Sequence, residues 1–149
     1  MPTPLFVYGT LRDPDLLAGV LARPLNGAAV LPAAAPGFRA VPYPRRIYPA
    51  LVRVAGDAAP GLVLTDLTPF ECDLLDAFEG EEYRRAPIAV MIAEELHEAF
   101  AYLPAIAVPA EGPPWRLEDW QRDHKPRVLG SERAGAEAIR TRLIAIRPH

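Results

Sequence analysis

Apolar residues occur along this chain in short runs that prolines and glycines interrupt. Runs of strand-forming residues occupy positions 4–8, 50–54 and 61–67, and a turn is expected at Gly56-Asp57. Prolines punctuate the segment 26–49, so we expect only short edge strands and turns there.

Two further runs predict a pair of strands in the second half of the chain. Residues 83–92 are strand-like, and residues 98–103 are expected to return against them, with 94–97 as the turn. Six or so short strands with few helices predict an α+β fold. Its expected form is a small, mostly antiparallel β-barrel, or a strongly curled sheet, with flanking helices.

The clearest local signal is a helix start at Thr68-Pro69-Phe70-Glu71. Thr68 as N-cap and Glu71 three residues later form a capping box, with proline at the first helical position. Gly80 is the expected end of this helix. Between them lies an apolar stripe formed by Phe70, Leu74, Leu75 and Phe78.

Weaker signals predict the other helices. Asp13-Pro14 offers an N-cap and a first helical position for a short helix over 15–22. A helical turn or two is expected at 117–124. A longer helix is expected over 131–146, with Ser131 as its N-cap.

The chain is expected to form one domain over residues 1–149. The core covers about 4–103, and a helical extension covers about 115–147, because no internal repeat or second core is found. This length is enough to bury a substantial core.

Composition restricts the classes of function. Half of the residues are hydrophobic and 23% are charged, as in globular proteins. The net charge of −3 gives no general attraction to nucleic acid, and no apolar run has membrane-spanning length. The chain begins with a strand rather than a charged leader, so we expect a cytoplasmic protein. Oligomeric state stays open between monomer and homodimer.

Cysteine and histidine suggest no chemistry. Cys72 stands alone, which excludes an internal disulfide, and it has no basic neighbour in sequence, so it is interpreted as a buried filler. His97, His124 and His149 are too scattered to predict a metal site.

Two stretches combine into a candidate site. Residues 5–12 form an apolar strand that breaks at Gly9, where backbone N–H groups can turn toward a ligand. Glu79 ends the helix after Thr68 at the edge of its apolar stripe, beside carbonyl groups that disfavour negative charge. A negative charge at a helix C-terminus is locally unfavourable, and such an unfavourable placement indicates a functional residue. The alternatives are an ordinary strand-to-turn glycine and an exposed acid that Arg84 and Arg85 make tolerable.

These stretches resemble the γ-glutamylcyclotransferase-like family. Phe6-Val7-Tyr8-Gly9-Thr10-Leu11-Arg12 is similar to its opening motif. Leu75-Asp76-Ala77-Phe78-Glu79-Gly80, followed by Tyr83-Arg84-Arg85, is similar to its second. Tyr48-Pro49-Ala50 matches a weaker middle motif only in part. The preceding Arg45-Arg46 either helps to hold a carboxylate or forms an exposed basic loop.

The resemblance implies a small barrel whose cavity holds a γ-glutamyl amine or amide, and an enzyme that cyclises it to 5-oxoproline. It assigns Glu79 as the catalytic acid and base. Tyr8, Gly9, Thr10 and Leu11 are the substrate-binding loop, and no cofactor or metal is implied. The alternative is a non-catalytic domain that binds a small metabolite in the same cavity.

Alternation along the predicted strand adds one binding residue. Tyr83 and Arg85 share a face of that strand, so we expect Tyr83 to line the cavity beside Glu79. Arg85 is expected to steady the acidic residues around the helix end. The alternative is that both side chains simply cover the sheet.

Overall fold

The computed structural model describes residues 4–146, which form five strands, four α-helices and short 3-10 turns. The strands are β1 Leu5–Val7, β2 Val30–Pro42, β3 Pro49–Leu64, β4 Tyr83–Ile92 and β5 Glu95–Pro104. The helices are α1 Pro14–Leu21, α2 Pro69–Glu79, α3 Leu117–Asp123 and α4 Lys125–Ile146. The predicted α+β class is therefore confirmed.

The strands follow the order β1-β3-β2-β4-β5 and close on themselves as a barrel. Four neighbouring pairs are antiparallel, but β1 runs parallel to β5. The sheet is therefore mixed and not wholly antiparallel, although most of its pairs are antiparallel as expected. β1 lies between β5 and β3. It runs parallel to β5 and antiparallel to β3.

The expectation of short edge strands and turns over 26–49, followed by separate strands at 50–54 and 61–67, was wrong. A single long hairpin of β2 and β3 fills this region. Pro32 and Pro36 are tolerated inside β2 because its other edge meets β4 at only one residue pair, so few N–H groups are needed there. Gly56-Asp57 is a bulge in β3 rather than a turn, since the register shifts opposite Gly37.

The β4–β5 hairpin turns earlier than predicted. Ala93 and Glu94 both have positive φ angles, 48° and 69°, which give a two-residue turn whose twist suits a hairpin. The strand β5 then begins at Glu95, so the predicted turn at 94–97 was displaced toward the C-terminus.

The helix signals near residues 13 and 68 are confirmed. Asp13 caps α1 by accepting a hydrogen bond from the backbone N–H of Leu16 at 2.9 Å. Both bonds of the Thr68–Glu71 capping box are present, and Gly80 follows α2 with a φ of 70°. These signals fix both ends of α2 and so the position of its last residue.

The start of α4 was predicted too late. The helix begins at Lys125 rather than after Ser131, whose hydroxyl instead donates to the carbonyl of Val128. Pro126 fits within the first turn, where its missing N–H costs nothing. Lys125 also bridges Asp13 and Asp15 at 2.9 and 2.7 Å, which ties the start of α4 to α1.

Alternating side chains of β1 divide the core into two clusters. Leu5 and Val7 pack with α1 and α2, whereas Phe6 and Tyr8 pack inside the sheet. Ala136 of α4 is fully buried against the helical cluster. Among residues 4–146, no helix has the length and apolar character needed to cross a membrane.

Candidate active site

A cavity of about 330 Å³ opens where the loop after β1, the end of α2 and the face of α4 meet. Its walls combine aromatic side chains, backbone and carboxylates, with no Lys, Arg or His among them. The lining residues are Phe6, Val7, Tyr8, Gly9, Thr10, Leu11, Tyr48, Pro49, Phe78, Glu79, Glu82, Tyr83, Tyr102, Ser131, Glu132, Gly135 and Ile139.

Glu79 lies on the cavity wall as the last residue of α2. Burial by the surrounding protein, followed by the charges of Glu132 and Glu82, raises its pKa to about 8. The side chain keeps some contact with water because it faces the cavity. Within residues 4–146 its carboxylate forms no hydrogen bond or ion pair, so it is available to a ligand.

The two arginines that could have neutralised Glu79 do not contact it. Arg85 pairs with Asp76 at 3.3 Å, and its guanidinium lies 5.1 Å from the centre of the Phe100 ring. Arg84 is exposed on the opposite face of β4. Arg85 thus steadies a neighbouring acid of α2 and leaves Glu79 without a cation.

The loop after β1 offers backbone donors to the cavity. The N–H groups of Gly9, Thr10 and Leu11 donate no hydrogen bond within the described part of the chain, because the following 3-10 turn uses only its later N–H groups. A Cβ at Gly9 would lie 2.9 Å from Pro49 Cγ, so only glycine fits at this point. The Leu11 side chain is buried, which leaves its backbone as the part open to a ligand.

Tyr8 anchors this loop to the sheet. Its hydroxyl donates to the carbonyl of Tyr102 and is surrounded by protein, and burial is the main cause that raises its pKa well above the ordinary value. The Tyr102 hydroxyl in turn donates to Asp76 Oδ1 at 2.7 Å. Tyr8 is therefore a fixed wall of the cavity, and its hydroxyl is already occupied.

Tyr83 reaches the cavity from the start of β4, as alternation predicted, but its hydroxyl is occupied too. It donates to the carbonyl of Pro49 at 2.6 Å, and its ring packs with those of Tyr43 and Tyr48. Burial is the main cause that raises the pKa of Tyr83 far above its ordinary value. Tyr83 thus joins the two chain segments beside Glu79.

Sequence reasoning missed two carboxylates of the cavity. Glu82 accepts a hydrogen bond from the Tyr48 hydroxyl at 2.7 Å and pairs with Arg46 at 3.1 Å. Arg46 therefore contacts an acidic residue of the cavity wall, but it does not line the cavity itself. Glu132 comes from α4, and burial raises its pKa. The small residues around Ala136 are the sequence feature that could have indicated a close approach of α4, because they let a helix pack closely.

The remaining candidates do not join the site. Cys72 is partly buried, and burial raises the pKa of its thiol, which fits a packing role. His97 and His124 are absent from the cavity lining, and His149 lies outside the described residues. Within residues 4–146, no group of three or more histidines, cysteines or acids could hold a metal ion.

Comparison with known proteins identifies the family. The family model described as "Gamma-glutamyl cyclotransferase, AIG2-like" matches residues 5–122, which leaves α4 outside the match. AIG2-like protein A of Arabidopsis thaliana is 31% identical over 129 residues, or 84% of this chain and 76% of that protein.

Solved structures agree with this match. A solution structure from Arabidopsis thaliana is 28% identical, covers 99% of this chain and 95% of its own, and has a TM-score of 0.65. A structure titled gamma-glutamyl cyclotransferase shares the fold at 14% identity and a TM-score of 0.56, covering 99% and 89% of the two chains. This chain belongs to the gamma-glutamyl cyclotransferase, AIG2-like family.

Proposed function

We propose that this protein is an enzyme that cyclises a γ-glutamyl amine or amide to 5-oxoproline and releases the amine, with Glu79 as general acid and base. The observation that carries the proposal is the position of Glu79. It is a carboxylate without a protein partner, it shares a cavity with free backbone donors, and its pKa is raised to about 8.

The charges of the cavity match those of a γ-glutamyl group. Its acidic wall receives the α-ammonium group, and the N–H groups of Gly9, Thr10 and Leu11 receive the α-carboxylate or the oxyanion that develops at the γ-carbonyl. A cavity of about 330 Å³ is large enough for a molecule of this size. Aromatic walls around it hold the substrate folded.

The reaction needs few protein groups because nucleophile and electrophile belong to one molecule. Glu79 removes a proton from the α-ammonium group, and the free amine attacks the γ-carbonyl carbon. The resulting oxyanion is held by the loop donors. The bond from the γ-carbon to the leaving nitrogen then breaks as the Glu79 carboxylic acid returns the proton to that nitrogen.

The proton balance closes without another reactant. The α-nitrogen loses two protons when it becomes the amide nitrogen of 5-oxoproline, and the leaving amine gains two when it departs as an ammonium ion. Glu79 carries these two protons one at a time, the first from the α-ammonium group before attack and the second from the ring nitrogen of the adduct, so it begins and ends as a carboxylate. A pKa of about 8 suits both roles near neutral pH, since the group accepts and returns a proton at similar cost.

The test is an assay for 5-oxoproline with the purified protein and a panel of γ-glutamyl amines, γ-glutamyl amino acids and γ-glutamyl peptides. Release of 5-oxoproline and of an equal amount of amine from at least one class is the expected result. A protein that binds members of the panel but releases no 5-oxoproline would instead be a binding domain that uses the same cavity.

A further inference from the structure

A second cavity, of about 350 Å³, adjoins Tyr8 and does not include Glu79. The middle of the β2–β3 hairpin and the segment that leads into α3 form its walls. Tyr8 lines both cavities, whereas Glu79 lines only the first. The cyclisation proposed above makes no use of this second space.

Among the charged side chains that line the second cavity, one arginine has no ion-pair partner within the described chain. Arg39 pairs with Asp57 at 2.5 Å, and Arg116 pairs with Glu118 at 3.6 Å. The guanidinium of Arg12 forms no hydrogen bond or ion pair with any residue of the described chain, although Arg12 lines the cavity and is partly buried.

The free donors of Arg12 are open to a ligand. The guanidinium carries five N–H donors, and the described chain offers them no acceptor, although they keep contact with water. Burial is also the main cause that lowers the pKa of Arg12, with Glu118 acting against it from a distance. Arg12 ends the motif that begins at Phe6, yet it does not line the cavity that holds Glu79.

We propose that this second cavity binds a small organic monocarboxylate with a planar or apolar body, whose carboxylate group pairs with Arg12. Guanidinium and carboxylate match in geometry and can form two parallel hydrogen bonds. The rings of Phe38 and Trp115 and the small apolar residues Ala59 and Pro60 offer surface to the body of the ligand.

The charge balance favours one negative charge over two. The cavity lining holds three arginines and two acids, and the two ion pairs leave a single positive charge. A monocarboxylate neutralises that charge, whereas a phosphate dianion would also face Asp57 and Glu118. The site is independent of the cyclisation, so its test needs no substrate.

Two tryptophans make the test selective. Trp115 lines the second cavity, and its indole N–H donates to the carbonyl of Ile47 at 3.0 Å. Trp120 is buried in the helical core and lines neither cavity. In the ¹⁵N-labelled protein, the Trp115 indole resonance reports binding, and the Trp120 resonance serves as the internal control.

The probes are sodium benzoate, its neutral isostere benzamide, and inorganic phosphate. Benzoate is expected to shift the Trp115 resonance to saturation and to leave Trp120 in place. Benzamide and phosphate are expected to bind at least tenfold more weakly. An unmoved Trp115 resonance, or equal affinity for benzamide or phosphate, would overturn the proposal.

Variants test whether Arg12 is the residue that binds the carboxylate. Arg12→Gln should weaken benzoate binding by roughly 10- to 100-fold, the usual effect of losing a hydrogen bond to a charged group. Arg122→Gln, the matched control, should retain the affinity because Arg122 is an exposed arginine of α3 that does not line this cavity. Unchanged binding in Arg12→Gln would refute the assignment. If that variant fails to fold, the comparison of benzoate with benzamide on the parent protein decides alone.

Discussion

At the scale of single residues, the central feature is a carboxylate that the protein holds away from compensating charge. Burial comes first among the causes that raise the pKa of Glu79, and the neighbouring carboxylates Glu132 and Glu82 add to it. The position of Glu79 at a helix end contributes less, because such effects amount to only about 0.3–1 kcal/mol. The cavity, rather than the helix, therefore sets its protonation.

Removing the charge of Glu132 should lower the pKa of Glu79. In Glu132→Gln, the midpoint of the rise of kcat/KM with pH should move down from about 8 by up to about one pH unit, since burial remains. The measurement is the pH dependence of 5-oxoproline release. Glu137→Gln is the matched control, because Glu137 is an exposed acid of the same helix that pairs with Arg140. Equal midpoints for both variants would contradict this electrostatic coupling.

The same raised pKa predicts how stability depends on pH. A carboxyl group whose pKa is higher in the folded than in the unfolded state stabilises the fold at low pH. This contribution is lost as the pH rises from about 4.5 to about 8. Glu79→Gln should remove that decline and be more stable than the parent at pH 8.5 by more than about 1 kcal/mol. Urea unfolding at pH 5 and pH 8.5 checks this; parallel curves for the two proteins would disprove it.

At the scale of secondary structure, α2 matters most because its two ends fix the position of Glu79. The capping box begins the helix, and Gly80 ends it. Arg23 donates to both carboxylate oxygens of Glu71, in the first turn of α2, at 2.7 and 2.8 Å. These bonds join the start of α2 to the segment after α1.

Thr68→Ala should destabilise the protein by about 1 kcal/mol, because the N–H of Glu71 loses its acceptor. Ser131→Ala is the control, since Ser131 lies inside α4 and its hydroxyl only returns to the carbonyl of Val128. It should change stability by less than about 0.5 kcal/mol. Chemical denaturation measures both; a larger loss in Ser131→Ala would mean that α4 depends on this hydroxyl.

Local signals predicted the elements well where a side chain acts on its own backbone. The capping box at Thr68, the cap at Asp13 and the span of β4 could be identified from the sequence. The prolines of β2 led to a wrong prediction of short strands. A proline disrupts a strand only where its missing N–H would bond to a neighbouring strand. That neighbour is set by tertiary structure, so local reasoning divided one long hairpin into short pieces.

At the scale of the whole molecule, α4 completes a cavity that the matched family region alone would leave open. Its carboxylate Glu132 faces the end of α2, and Ala136 packs into the core. Lys125 fastens the helix to the buried carboxylate of Asp13, which also accepts from Gln121 at 2.9 Å.

Lys125→Met should loosen α4 by leaving Asp13 without its cation, at a cost of about 1–3 kcal/mol. Hydrogen–deuterium exchange should then speed up across residues 125–146 more than elsewhere. The control is Arg127→Met, which removes a charge from an exposed side chain of the same helix that contacts His124. Similar exchange in the two variants would show that Lys125 does not hold the helix.

The site could be predicted only in part from the sequence. Glu79 and the loop from Tyr8 to Leu11 stand beside recognisable helix and strand ends, and those ends carry the signal. Glu132 has no local signal, because its approach to Glu79 results from packing between segments about fifty residues apart. The occupied hydroxyls of Tyr8 and Tyr83 were equally invisible, since each donates to a backbone carbonyl distant in sequence.

The most direct test of the account compares 5-oxoproline release by the parent protein and by Glu79→Gln, with the best γ-glutamyl substrate of the panel. Glutamine keeps the shape of the side chain but accepts no proton. Turnover should fall by roughly 10²- to 10⁴-fold, the usual contribution of general acid–base catalysis, while substrate affinity changes little because the loop donors remain. If Glu79→Gln releases 5-oxoproline as fast as the parent protein, Glu79 is not the acid and base of this reaction.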